Sequence, residues 1–334
     1  MRLAVCALLA SLVFAPSAHA AKPLASVDVA LGDVTINKIP FLIAADSGIY
    51  QSNGLDVHQF ITRDAAELAR KSGVVVPPEM VRQDIDRAPI SIGGGSPAIY
   101  NAVYSGGTDY VVLATLESVF KSHIIAAPRI RTVEDLRGKR LGYAAAGRAN
   151  HIGLLSFARV MGWTPGRDII LVDRASTIAD IKSGRADATA AGAVIVALAP
   201  EAGLSDVVDL YQYKMPFAGS GIMAERTWLG ANRSVAACFV KASVEALALM
   251  KRNRAAFDAT VAKWMNIKDK AAQDRLYAEV ADFPVKPYPA IEGIRIVMEI
   301  YDSPEMRERK AEDFYDTSFI TELDRLGQLD ALYR

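Results

Sequence analysis

Two glycine-rich stretches carry residue types suited to gripping a small ligand through the backbone. The first is Gly93-Gly94-Gly95-Ser96-Pro97, which follows the apolar stretch Pro89-Ile90-Ser91-Ile92. Three glycines after a strand let the chain turn where side chains would collide. Ser96 is the expected cap, and Pro97 the first residue, of a helix running to Tyr104 and stopped by Gly106-Gly107. A strand, a glycine turn and a helix start in that order aim N–H groups and a partial positive charge at a ligand. Gly94, Gly95 and Ser96 are therefore candidate contacts, against the alternative of a plain strand-to-helix turn. The second stretch runs Gly142-Tyr143-Ala144-Ala145-Ala146-Gly147-Arg148-Ala149-Asn150. Its glycine spacing is that of a phosphate-binding loop, but Arg148-Ala149 stands where Lys-Ser/Thr is required, which excludes nucleotide hydrolysis. What remains is a small-residue turn with Asn150 as the expected cap of the following helix. Arg148 offers a donor fork suited to a carboxylate, sulfonate or phosphonate, or is an exposed arginine with no specific partner.

Catalytic constellations are sparse. Outside the N-terminal segment the histidines are His58, His123 and His151, none at metal-ligand spacing from another His or Cys. Gly94-Gly95-Ser96-Pro97-Ala98 lacks the last glycine of a nucleophile elbow. His151 is read as a capping or surface residue rather than a ligand contact, and Glu312-Asp313 as part of a solvated helix face. Tyr211, Tyr213 and Lys214 either line a cleft or pack at its rim. No cofactor and no metal is implied.

These residues sit in a chain of 334 residues with 38 Lys+Arg, 38 Asp+Glu and 51% hydrophobic residues. That balance excludes global disorder, which needs few apolar residues and a large net charge. It also argues against nucleic acid as the main partner, since counterion release needs a basic surface. Arg2, the apolar stretch Leu3 to Ala15 and Ser17-Ala18-His19-Ala20 predict an export signal cleaved after Ala20. The apolar stretch is too short to cross the ~30 Å hydrocarbon layer as a helix. Cys6 falls within the signal and Cys238 alone survives it, so no internal disulfide is possible; apolar neighbours predict a buried helical thiol.

Strands and helices alternate along the rest. Val27–Leu31, Leu55–Phe60, Pro89–Ile92, Tyr110–Ala114, His123–Ala127, Arg140–Tyr143, Asp168–Val172, Ala188–Ala191, Asp206–Leu210 and Ser220–Met223 read as strands. Leu154, Phe157, Ala158 and Met161 share one helical face, and a long helix is expected from Ser234 to Arg252. Strands separated by helices require crossover connections and largely parallel sheets, whose ligands bind at the carboxyl ends of strands. The length suggests two domains, and the lack of a Pro/Ser-rich linker suggests that the chain crosses between them on short segments.

Several segments in order resemble the substrate-binding proteins of nitrate/sulfonate/taurine-type ABC transporters. They are Pro40 to Tyr50 with Gly54-Leu55-Asp56-Val57, Ile90 to Ala98, Thr132-Val133-Glu134-Asp135-Leu136-Arg137-Gly138-Lys139-Arg140-Leu141-Gly142, and Ile181 to Ala188, with a weaker echo at Asp316 to Ile320. The resemblance implies an α/β, two-lobed periplasmic binding protein fold (type II), each lobe a mostly parallel sheet flanked by helices. Lobe 1 would hold residues 26–116 and 217–334, and lobe 2 residues 117–216, with hinges near Leu116-Glu117-Ser118 and Met215-Pro216-Phe217. Carried over onto this sequence, ligand contacts fall at Thr35, Asn37, Gly94, Gly95, Ser96, Glu117, Gly147, Arg148, Asn150 and Gly192. Relatives place a bulky aromatic and an acid near Gly192, where this chain reads Ala190-Ala191-Gly192-Ala193, so a roomier or less polar wall is expected. The implied protein is a periplasmic monomer that binds a small, anionic or polar solute, performs no chemistry and delivers the solute to an inner-membrane ABC permease. The alternatives are a ligand sensor docking on a membrane kinase and an enzyme of the same fold. The cysteine-rich motif of thiamine-precursor synthases is absent.

Overall fold

A computed structural model describes residues 23–71, 76–82 and 84–334. The expected export signal, with Cys6, lies outside the described residues. Among these, no helix is long and apolar enough to cross a membrane.

Ten strands form two five-stranded sheets. They are β1 (Ala25–Leu31), β2 (Leu55–Ile61), β3 (Ile90–Gly94), β4 (Tyr110–Thr115), β5 (His123–Ala126), β6 (Arg140–Tyr143), β7 (Ile170–Asp173), β8 (Ala188–Ala191), β9 (Ser205–Asp209) and β10 (Ser220–Glu225). The orders are β2-β1-β3-β10-β4 and β7-β6-β8-β5-β9. β1 pairs in parallel with β2 and β3, as β6 does with β7 and β8. β10 runs antiparallel to β3 and β4, and β5 antiparallel to β8 and β9. In each sheet the reversed strand is thus the one that has just arrived from the other sheet. The expected strands all form, with ends shifted by a residue or two.

The two crossings lie side by side. Leu116 N–H donates to Ser220 O at 2.8 Å, Gly219 N–H to Glu117 O at 2.9 Å, Phe217 N–H to Ser118 O at 3.0 Å and Phe120 N–H to Met215 O at 2.9 Å. Val119 and Pro216 form an antiparallel bridge between them. Phe120 meets Phe217 edge-on at 5.2 Å. An apolar cluster continues through this junction. It takes in Ile99, Val112 and Met223 of the first sheet's lobe, Phe120 and Phe217 of the crossings, and Ile124, Leu141 and Phe157 of the second. A second core, with Phe41, Tyr50, Phe239 and Phe257, fills the first lobe behind β1 and β2. Cys238 packs at its edge in the helix Arg233–Arg252, half-buried rather than fully buried as its neighbours suggested.

Two sequence motifs prove to be scaffolding. Asp135 Oδ2 accepts the N–H groups of Arg131 and Thr132 at 3.0 Å each, tightening the turn before β6. Asp187, buried at the start of β8, accepts from Arg140 N and Nε at 3.0 Å and from Arg129. These charge-assisted bonds fix how β8 enters the sheet beside β6.

Candidate functional site

The carboxyl end of β1 leads into Gly32 to Lys38, a turn organised around one buried lysine. Lys38 is 1% exposed, and its Nζ donates to Asp33 Oδ2 at 2.6 Å and to Ser220 Oγ of β10 at 3.0 Å. Thr35 is exposed, and its hydroxyl donates to Asp33 Oδ1 at 2.6 Å. Asn37 Nδ2 donates to Glu117 Oε2 at 3.3 Å, joining this turn to the hinge. Glu117 is half-buried, and burial pushes its carboxyl above the usual range. The N–H of Ser220, the Lys121 and Lys38 ammoniums partly oppose that shift, and Asp33 adds to it. Gly219 makes room for this side chain: a Cβ there would stand 2.7 Å from Glu117 O and 2.9 Å from Oε2. Sequence reasoning passed over Asp33, Lys38 and Gly219. A lysine directly before the apolar stretch Ile39 to Ala45 was the available signal for Lys38.

The glycine turn after β3 departs from expectation. The helix runs Gly95–Tyr104 with Gly94 as its N-cap, so Ser96 and Pro97 lie inside the first turn. Gly95 N–H donates to Gly219 O at 3.1 Å, and Ser96 N–H to Ala218 O at 2.7 Å. Ser96 is fully buried, and its Oγ accepts Ala218 N–H at 3.1 Å. Pro97 has no N–H to offer. The first donors of this helix are thus engaged by the returning hinge strand, and Ser96 is a structural lock rather than a presented contact. Of Gly94, Gly95 and Ser96, only Gly94 keeps some exposure.

The second corner is also altered. The helix runs Ala149–Val160 with Arg148, not Asn150, at the N-cap position and no side-chain cap. Asn150 Oδ1 instead accepts Ala144 N–H at 3.3 Å. Gly147, at φ +75°, is buried, and a Cβ there would fall inside the Tyr100 ring of the first lobe's helix. Its N–H donates to His151 Nδ1 at 3.2 Å. Gly147 is therefore a packing contact between lobes, which corrects its reading as a presented ligand contact. Arg148 is exposed, and its guanidinium has no hydrogen-bond or ion-pair partner among the described residues. Gly192 is exposed, with open space around the position of a Cβ.

An aromatic cluster joins the lobes at Gly147. His151, expected near the surface, is 9% exposed and stacks on Tyr143 of β6 at 4.1 Å. Its Nδ1 lies 2.7 Å from Tyr301 Oη. Because Gly147 N–H already donates to Nδ1, that nitrogen carries no proton and the Tyr301 hydroxyl donates to it. Burial lowers the His151 pKa. Tyr100 completes the cluster, 4.7 Å from Tyr301 and 4.9 Å from Tyr104. The helix Ile291–Ile300, which precedes Tyr301, packs against both Gly95–Tyr104 and Ala149–Val160. At the hinge rim, Lys121 pairs with Asp282 at 2.6 Å, and the Lys214 ammonium lies 3.2 Å from the centre of the Tyr211 ring. Tyr213, half-buried, packs against the core, edge-on to Phe157 at 5.4 Å.

Paired hinge strands between two mixed sheets, with strand ends from both lobes near the crossing, define an architecture shared with solved structures. The periplasmic aliphatic sulphonate binding protein SsuA from Escherichia coli is 18% identical, with 87% of this chain and 98% of that chain covered at a TM-score of 0.60. The periplasmic nitrate-binding protein NrtA from Synechocystis is 13% identical, covering 91% and 89% at 0.64. This chain has the periplasmic binding protein fold. The fold also serves catalysis: the desulfurization enzyme DSZB is 14% identical, covering 89% and 99% at 0.56. Residues 95–256 match the family model described as NMT1/THI5 like. No curated protein matches the chain. The model and the transport structures agree with the resemblance carried by the sequence motifs.

Proposed function

We propose that this chain is an exported solute-binding protein of an ABC importer, which captures a small molecule between its lobes and passes it to a membrane permease. The observation that carries this reading is the pair of hydrogen-bonded crossings between the two sheets, with Glu117 and Asn37 meeting beside them. Such a joint lets two lobes close over a ligand while each keeps its own sheet. In this reading lobe 1 comprises residues 26–116 and 217–334, lobe 2 comprises residues 117–216, and the protein works as a periplasmic monomer without bond chemistry. The contacts are Asn37, Glu117 and Gly94 from the first lobe and hinge, and Arg148, Asn150 and Gly192 from the second. Thr35 supports them by holding Asp33. The structural neighbours that are periplasmic binding proteins support transport over catalysis, and the signal-like N-terminus supports export.

Native mass spectrometry of protein recovered from the periplasm tests the reading. The expected result is a chain beginning at Ala21 that carries one non-covalent small molecule and releases it unchanged. Conversion of that molecule into a product, or retention of the chain in the cytoplasm with its first residues intact, overturns it.

A further inference from the structure

The charged groups around the hinge do not suit an anion. The donors of the helix Gly95–Tyr104 that would face one are engaged by Ala218 and Gly219. The Lys38 ammonium is enclosed between Asp33 and Ser220, and Lys121 is paired with Asp282. Of the cations without a carboxylate, Lys214 lies on the Tyr211 ring and Arg148 stands exposed on the second lobe. Glu117 presents the opposite chemistry. A carboxylate has roughly four acceptor positions. Glu117 is met by a long bond from Asn37 and by the N–H of Ser220, so about half of that capacity is left. The side chain is nonetheless fixed over Gly219, where no larger residue fits.

Resting on the solute-binding reading above, we propose that the cleft selects a solute that donates hydrogen bonds from nitrogen, such as a protonated amine, an amidine or the N–H edge of a heterocycle, and that Glu117 is its acceptor. An ionised carboxylate held half-buried gains most from a partner that brings both N–H groups and positive charge, because such bonds are about twice as strong as neutral ones. A nitrate or sulfonate would instead meet like charge at Glu117.

Thermal-shift measurements on the processed chain, unfolded and refolded to strip carried-over solute, test this. The probes are benzamidine, ethanolamine and cytosine against nitrate, ethanesulfonate and benzoate. The expected result is a concentration-dependent rise in Tm with at least one nitrogen donor and with none of the anions. Glu117→Gln keeps the circular dichroism spectrum and loses that rise, with affinity down tenfold or more. A rise with an anion and not with a donor overturns the inference, as does a donor shift that survives Glu117→Gln; both leave solute capture standing. No shift with any of the six also overturns it, while capture itself is decided separately by the small molecule seen in native mass spectra.

Discussion

Gly147 tests whether the two lobes touch as described. Replacing it by alanine has two separable effects. At φ +75° an L-residue is strained by about 1–2 kcal/mol, whatever surrounds it. The new Cβ would also lie within the Tyr100 ring, and forcing an extra carbon into a packed contact costs about 1–3 kcal/mol. Gly147→Ala should therefore destabilise the protein by about 2–5 kcal/mol. In a Tyr100→Ala background only the backbone strain is left, about 1–2 kcal/mol. The coupling between the two sites, about 1–3 kcal/mol, is obtained from chemical denaturation of the four proteins in the cycle. A coupling of zero within error refutes the reasoning, because Tyr100 and Gly147 lie on different lobes and can couple only if the corner is seated on the ring. Small-angle scattering on the same four proteins reads the consequence: Gly147→Ala should enlarge the radius of gyration, and Tyr100→Ala should restore it.

Four further outcomes follow from the same geometry. His151 is depressed by burial, so the folded state binds fewer protons than the unfolded chain, and stability present above an unfolded pKa of about 6.5 falls as pH drops below it; His151→Asn should reduce the loss of Tm between pH 7.5 and 5.5, and an unchanged pH slope refutes this. Glu117 is shifted the other way, so its contribution is present below an unfolded pKa of about 4.3 and lost as pH rises through its higher folded value; Glu117→Gln should raise Tm at pH 8 and leave it unchanged at pH 4. Lys38→Ala removes a buried cation and its stem, at about 3 kcal/mol, and Lys38→Met should recover part of that by refilling the volume, as urea denaturation would measure. The Arg148 guanidinium is exposed and makes no hydrogen bond or ion pair among the described residues, so Arg148→Ala should leave stability within about 0.5 kcal/mol, and any change in solute affinity by calorimetry reports a direct contact.

Much of the architecture is local and was therefore legible. Strand periodicity at β6 and β8 matches the sheet residue for residue, and the motifs around Asp135 and Asp187 work through hydrogen bonds whose spacing follows from the motif itself. Between the two sheets, the segments around Glu117 and Pro216 run side by side. The candidate site was legible only in outline. Gly94, Glu117, Asn37 and Arg148 keep some exposure, whereas Ser96 and Gly147 are enclosed.

The amino-acid order alone determined which segments become strands and helices, because side-chain periods of 2 and 3.6 residues act between neighbours in the chain. It also determined that no metal-binding or nucleophilic motif is spelled out. Whether a helix start is open to a ligand was decided by the tertiary structure. The donors of Gly95 and Ser96 are taken by carbonyls that follow Ser96 by some 122 residues, and Gly147 is covered by a ring from the other lobe. A backbone N–H has one hydrogen to give, and packing chooses its acceptor.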